Sequence, residues 1–330
     1  MSSVVIDLDL TTEDTEKQST IVAMNGALIV DKPAGLTSHD VVARVRRITG
    51  ERRVGHTGTL DPFATGVLVL LLGKATRLLQ FLSGAEKEYE ALIRFGYATD
   101  TGDATGRRLD AQAPSQRAQS LRADDIEAAM ATLRGEIAQV PPMYSAKKVK
   151  GQKLYELARR GENVERQPVP VTIYQFEPLS DGQSPAINDD GTADFPVRVA
   201  CSAGTYVRTL AEDLGKQLGV DAHLAALRRT RAGRFTVDSS ITLDQLAERA
   251  EDNSIGDQII SPDATIGHLP PIVLNESDAR RVLNGVEIEF DSTHINKQQL
   301  RLQNVAGELI AVGVFDAQRR TVHPRVVLGI

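Results

Sequence analysis

Residues Val67 to Leu72 form an unbroken apolar run, VLVLLL, with Gly66 before it and Gly73 after it. A run of that length between glycines reads as a buried strand, because a helix needs more residues and a periodic face. The segment just ahead of it, GHTGTLDPFATG, is turn chemistry: Gly55, Gly58, Asp61, Pro62 and Gly66 fall within twelve residues. Asp61 therefore sits on a glycine-rich loop clamped to a buried element. Pro62 biases it towards an extended backbone. A carboxylate so placed serves either an Asp-Pro turn, bonding its own backbone, or chemistry over a rigid scaffold.

The rest of the chain narrows the choice. With 330 residues, 41% hydrophobic and 25% charged, it is an ordinary globular composition sufficient for about two domains. No apolar run reaches the roughly 18 residues of a membrane span, and the polar, acidic start lacks the regions of a signal peptide. One cysteine, Cys201, makes neither an internal disulfide nor a cysteine zinc site, and the six histidines show no ligand spacing. The expectation is a soluble cytoplasmic protein without a metal.

Net charge is −6, which argues against a polyanionic partner until its distribution is considered. Residues 1–22 carry Asp7, Asp9, Glu13, Asp14 and Glu16 against Lys17, so the body is nearly neutral. Basic residues then cluster at Arg44–Arg53, at Lys147–Lys153 and at Arg228–Arg234. Each cluster alone is a solvated face. Three beside glycine-rich loops point to a nucleic acid, whose binding depends on local patches.

In chain order, residues 1–22 read as a disordered acidic tail. A strand at Ala27–Val30 ends in Asp31-Lys32-Pro33, with Lys32 either a phosphate contact or a loop lysine. Ser38 is a candidate cap for a helix with Val41, Val42, Val45 and Ile48 as its stripe. Further elements are a short helix at 74–84, a strand at 87–96 carrying Tyr89, a polar turn at 99–106, a polar linker at 107–120 and a helix at 123–133. Residues 140–161 interleave lysines and tyrosines around a basic amphipathic helix, an excursion suited to stacking on bases and meeting phosphates. Strands follow near 171–178 and 195–201 around a surface loop at 180–191. A helix within 203–219 has Arg208 in its first turn, and another occupies 242–250. From Leu269 the composition changes to short strands and one helix near 276–284, read as a separate small domain.

Several motifs fail. A phosphate-binding GxxxxGK[ST] loop would need Gly at 68 and Ser or Thr at 75, where the chain has Leu68 and Ala75. Gly55-His56-Thr57-Gly58 has the GxxG form used to clamp a nucleic-acid backbone, a spacing common by chance. His56 and Asp61 lack a serine or cysteine in a nucleophile elbow, and Cys201 reads as a small buried residue.

Taken together, GALIVDKPAGLTSHDVV, GHTGTLDPFATGVLVLLLGKAT, KEYEALIRFGYATDTGDATG, PPMYSAKKVKGQKLYELARRG, GTYVRTLAEDLGKQLG and LRRTRAGRF resemble the TruB family of tRNA pseudouridine synthases, in that family's order, over residues 26 to 235. The resemblance implies an α+β pseudouridine synthase fold, with a mixed, largely antiparallel sheet flanked by helices. It also implies a small β-rich PUA-like C-terminal domain. The domains expected are the tail 1–22, a catalytic domain 23–265 with an RNA-contacting excursion about 137–170, and the PUA-like domain 266–330.

The resemblance makes Asp61 the catalytic aspartate and Arg208 its arginine partner, whose fork would orient the carboxylate and keep it ionised. Tyr89 stacks on the target base, His56 holds the loop opened by base flipping, and Leu227 lines the pocket. Lys32 belongs to the substrate-binding set, and Lys32 and Pro33 match the family's first motif and support the loop. The reaction implied is isomerisation of uridine 55 in the tRNA T-loop, needing no cofactor and acting on a flipped base. The partner is tRNA at its T-arm and elbow, with no membrane, no obligatory protein partner and a monomeric enzyme. Two rivals share the fold: a catalytically silent RNA-binding chaperone, and a synthase that works with a guide RNA and accessory proteins.

Overall fold

The computed structural model describes residues 24–109, 116–145, 147–149, 151–162, 164–180, 182, 184–290 and 295–329. The acidic tail lies outside the described residues, as do Lys150 and parts of the 107–120 and 180–191 segments.

The strands begin with β1 (Gly26–Lys32), β2 (Val54–His56), β3 (Thr65–Leu72), β4 (Lys87–Phe95) and β5 (Gly135–Gln139). A hairpin of β6 (Lys148–Val149) and β7 (Gln152–Lys153) lies in the excursion. After it come β8 (Val169–Pro178), β9 (Ala186–Ile187), β10 (Ala193–Cys201), β11 (Ala222–Ala232) and β12 (Phe235–Thr236). The main sheet runs β1-β3-β11-β4-β10-β8-β5, with β2, β9 and β12 attached at its margins. Only β3 and β11 run parallel among its described pairs, so the sheet is mixed and largely antiparallel.

The Val67–Leu72 run forms most of β3, and the structure shows why it does not alternate. Val67, Val69 and Leu71 pack on one face with Ala75, Leu78 and Phe235. Leu68, Leu70 and Leu72 pack on the other, against Val41, Val42 and Val45 of helix α1 (Ser38–Thr49) and Leu246. A strand covered on both faces needs apolar residues at every position.

Gly66, at the start of β3, has φ 100°, and a Cβ there would lie 2.2 Å from the Arg229 carbonyl oxygen. Only glycine permits β3 and β11 to approach so closely. On the other half of the sheet, β4, β8, β10 and β11 pack against α3 (Ala123–Thr132) and α5 (Val207–Leu218), after a short α2 (Gln116–Gln119).

Helix α1 is capped by Thr37, whose side chain accepts from the Asp40 amide while the Asp40 carboxylate accepts from the Thr37 amide. The expected cap, Ser38, lies one residue inside and has another task. The 74–84 segment is a run of 3-10 turns, Gly73–Phe81, rather than an α-helix. The basic amphipathic helix of the excursion is reduced to α4 (Leu154–Arg159), anchored by buried Leu154 and Leu157.

Beyond α6 (Leu243–Glu251) and α7 (Pro262–Thr265), the C-terminal part contains β13 (Pro271–Val273), α8 (Glu276–Leu283), β14 (Ile288–Glu289), β15 (Gln299–Gln303), β16 (Leu309–Asp316) and β17 (Thr321–Val327). Its five strands form a sheet of their own, β13-β15-β16-β17-β14. They surround a core built on Ile272, Val282, Leu300, Leu302 and Phe315. The part is nevertheless not separately packed: Val312, Val326 and Leu328 join the apolar cluster under Val67, Val69 and Leu71.

Candidate active site

Asp61 lies on the loop between β2 and β3, and buried groups hold that loop from below. The Ser38 hydroxyl accepts from the Leu60 amide at 2.9 Å and faces the Leu60 carbonyl at 3.1 Å. Lys32 is fully buried, and its ammonium donates to the carbonyls of Pro33 (2.8 Å), Leu36 (2.7 Å) and Pro62 (3.2 Å). Burial brings its pKa down to about 8, a drop the nearby Asp61 charge opposes. Arg229 of β11, also buried, donates to Val67 (2.7 Å), Thr59 (3.2 Å) and Gly58 (3.2 Å) carbonyls. These bonds satisfy backbone carbonyls in and beside the loop.

The carboxylate itself meets Arg208, with Oδ2 2.9 Å from Nε. The two-pronged grip expected from the sequence is absent. Nη1 donates to the Thr101 carbonyl and Nη2 to the Tyr144 carbonyl, each at 2.7 Å, and Asp103 stands 3.8 Å from Nη1. The guanidinium is thus shared among three loops. A cation in the first turn of a helix opposes the dipole, and these three acceptors compensate. Helix α5 has no side-chain cap. Buried Gln139 instead accepts from the Tyr206 amide (2.9 Å) and donates to its carbonyl (3.1 Å), fixing where the helix starts.

Burial pushes the Asp61 carboxyl above its ordinary range; Arg208 pulls it back, and the Asp103 charge adds to the rise. Desolvation and the ion pair thus act in opposite directions on this carboxyl. About a third of the Asp61 side chain remains accessible, 34%, whereas Arg208 keeps 5%. The accessible edge opens on a cavity of about 270 Å³, small for a ligand pocket. Larger hollows exist, one of about 580 Å³ floored by Phe81, Leu82 and Phe235, but none of them is lined by Asp61 and Arg208.

Tyr89 and Leu227 are buried walls of the cavity, with Tyr89 on β4 and Leu227 on β11. Burial keeps the Tyr89 hydroxyl protonated, its pKa raised although the Arg229 charge opposes this. His56 does not line the cavity. It lies on an adjoining hollow with Arg77 and Gln80, its ring edge-on to His39 at 5.5 Å. Lys32 does not line the cavity either: all three of its N–H bonds are directed to carbonyls, so it positions the loop instead of contacting substrate. Among the described residues no cluster of three or more His, Cys, Asp or Glu could hold a metal ion.

Residues 46–207 match the family model "TruB family pseudouridylate synthase (N terminal domain)" and residues 208–266 match "tRNA pseudouridylate synthase B C-terminal domain". The chain belongs to the TruB family. Among relatives, a tRNA pseudouridine synthase B of Thermobifida fusca is 48% identical over 80% of this chain and 86% of that protein. One of Streptococcus thermophilus is 40% identical over 93% of this chain and 99% of its own. A chain of the archaeal box H/ACA sRNP Nop10-Cbf5 complex superposes with TM-score 0.67 at 27% identity, covering 93% of this chain and 86% of that one. The fold described above is therefore the pseudouridine synthase fold with a β-rich, PUA-like C-terminal domain.

Within this TruB-family site, sequence reading misplaced or missed four groups. Arg229 was counted in a surface cluster, yet it is a buried strut. Ser38 was a cap candidate, yet it ties down Leu60. Asp103 lay in a segment read only as a polar turn, although that turn supplies both Asp103 and the Thr101 carbonyl to Arg208. Gln139 carried no signal beyond being a polar residue at the end of an otherwise ordinary strand.

Proposed function

We propose that this protein isomerises uridine to pseudouridine in tRNA, at position 55 of the T-loop, acting alone and as a monomer. The observation that carries the reading is the Asp61 carboxylate, exposed on one edge only, held at 2.9 Å by Arg208 in a cavity walled by Tyr89 and Leu227. In the reaction the C1′–N1 bond breaks and a C1′–C5 bond forms; C5 loses a proton and N1 gains one. Nothing is oxidised, reduced or hydrolysed, so protein groups suffice.

Each group has a defined task. A nucleotide reaches the cavity by leaving the stack. Tyr89 and Leu227 then supply the apolar faces that hold a flat base, and Arg208 orients the carboxylate towards the nucleoside. The struts Lys32, Ser38 and Arg229 prevent the loop from yielding when the nucleotide enters. His56, outside the cavity, lines the adjoining hollow, where it would hold the loop opened by base flipping. Bacterial relatives and the absence of a membrane-spanning helix among the described residues favour a cytoplasmic setting.

The test is purified protein alone on a T-loop transcript. Pseudouridine without added partners is the expected result. Asp61→Asn should retain RNA binding and lose more than about a hundredfold in rate, the scale of a group acting at the reacting atoms. Binding without product in the wild-type protein would refute the reading.

A further inference from the structure

The cavity wall contains a buried polar group with no task in the proposed reaction. Ser145, 5% exposed, lines the cavity, and its Oγ has no hydrogen-bond partner among the described residues. Three of the polar side chains around it are engaged. Ser202 Oγ accepts from the Thr172 amide, Thr205 Oγ1 donates to the Ser202 carbonyl, and the Lys87 ammonium donates to Ser83 and Ala85 carbonyls. Arg208 and Arg229 are occupied as described. Of the buried side-chain polar atoms without a partner among the described residues, only that of Ser145 belongs to a residue of this cavity. A buried hydroxyl left unpaired costs stability in the free protein.

Resting on the proposed uridine isomerisation, we infer that Ser145 is a substrate-contact residue whose hydroxyl donates to a carbonyl of the flipped uracil. The backbone around it is held in place: its amide donates to the Met143 carbonyl (3.0 Å) and its carbonyl accepts from the Tyr155 amide (3.1 Å). The preceding residue, Tyr144, gives its carbonyl to Arg208. One short segment therefore presents a donor to the base and an acceptor to the arginine that holds Asp61. A hydroxyl donor also suits this rearrangement. Turning uracil by half a revolution about the axis through N3 and C6 exchanges N1 with C5 and O2 with O4. A donor facing one carbonyl in the substrate meets the other in the product, so the contact survives the turn.

The assignment has a signature that a structural serine lacks. Ser145→Ala removes a buried unpaired hydroxyl, so thermal stability should be unchanged or higher, while kcat/KM on the T-loop transcript falls about two- to twelvefold, the worth of one neutral hydrogen bond. A transcript with sulfur replacing oxygen at C2 or at C4 of the target base provides the coupled arm. At least one sulfur should slow the wild-type protein more than it slows Ser145→Ala, because the bond it weakens is already missing in the variant. Equal kcat/KM in the two proteins, a lowered melting temperature for Ser145→Ala, or equal sulfur effects in both would each overturn the assignment. Wild-type protein is run alongside: if it yields no pseudouridine, the parent reading fails and takes this one with it, whereas an active wild type isolates the failure to Ser145.

Discussion

Arg208→Lys retains the charge and discards the geometry, and the structure sets the size of the effect. Lysine brings its three donors on a single nitrogen, so it cannot reach acceptors that are spread around the separate nitrogens of a guanidinium. The Thr101 and Tyr144 carbonyls, each now 2.7 Å from a guanidinium nitrogen, would lose their donors. At about 1–2 kcal/mol apiece, the loss is about 2–4 kcal/mol. The Asp61 contact adds less than about 1 kcal/mol, because an exposed edge screens it. The pH dependence follows from the sign of the Asp61 shift. Burial already holds its folded-state value above the ordinary 3.8, and Arg208 opposes that rise. A looser cation lets it climb further. The acid limb of the rate profile therefore moves to higher pH. A carboxyl with a raised folded-state pKa favours the fold most fully below its unfolded value and loses that contribution as pH rises through the folded one. The stability deficit of the variant should accordingly narrow in acid, where Asp61 is protonated in either protein. Single-turnover pseudouridine formation and urea unfolding, both measured from acid to neutral pH, test this. Wild-type stability with an unmoved acid limb would show that the three-way tie has no bearing on the site.

Two further predictions address the scaffold and the surface. Gly66→Ala forces a Cβ to 2.2 Å from the Arg229 carbonyl at a positive φ, so it should cost more than about 3 kcal/mol in urea unfolding; a near-native midpoint would mean β3 and β11 can part. Arg47→Ala, at an exposed position on α1, should lower the slope of log affinity against log salt by about one or less. Arg228→Ala should leave that slope nearly unchanged, since Arg228 is paired with Asp31 at 2.8 Å; the reverse order in filter binding would relocate the RNA path.

What the sequence revealed and concealed follows from the physics of each segment. Asp61 and Arg208 were legible through the family resemblance, because their surroundings, a glycine-rich loop and an amphipathic helix stopped by Gly219, are contiguous stretches of sequence. Strand β11 was not, and its register shows the reason: irregularities between Leu224 and Ala226 and between Arg229 and Arg231 break the period of two. Arg229 accordingly faces inward although its neighbours in the cluster do not, and a charge count cannot distinguish strut from surface. Arg231 illustrates the same limit, lying 3.7 Å from Glu88 and 4.0 Å from Glu86. Lys32 was placed with the substrate because a lysine beside a turn has the same sequence appearance whether it meets phosphate or three carbonyls. The nearest-neighbour chemistry of Arg208 was invisible because its acceptors are backbone atoms, which every residue possesses.

The cluster joining β3 to Val312, Val326 and Leu328 makes the two sheets a single cooperative block. The strand whose one end carries the Asp61 loop shares the apolar cluster on its odd-numbered face with the C-terminal sheet. Removing that sheet would strip the far side of this cluster and expose apolar surface around Ala75, Leu78 and Phe235, an aggregation-prone patch. Heat should therefore melt both parts in one transition, and truncation before Ile266 should yield insoluble chain in place of a smaller enzyme. Weight placed on the C-terminal sheet by a bound RNA would then be borne directly by the footing of the catalytic loop, without a hinge between them.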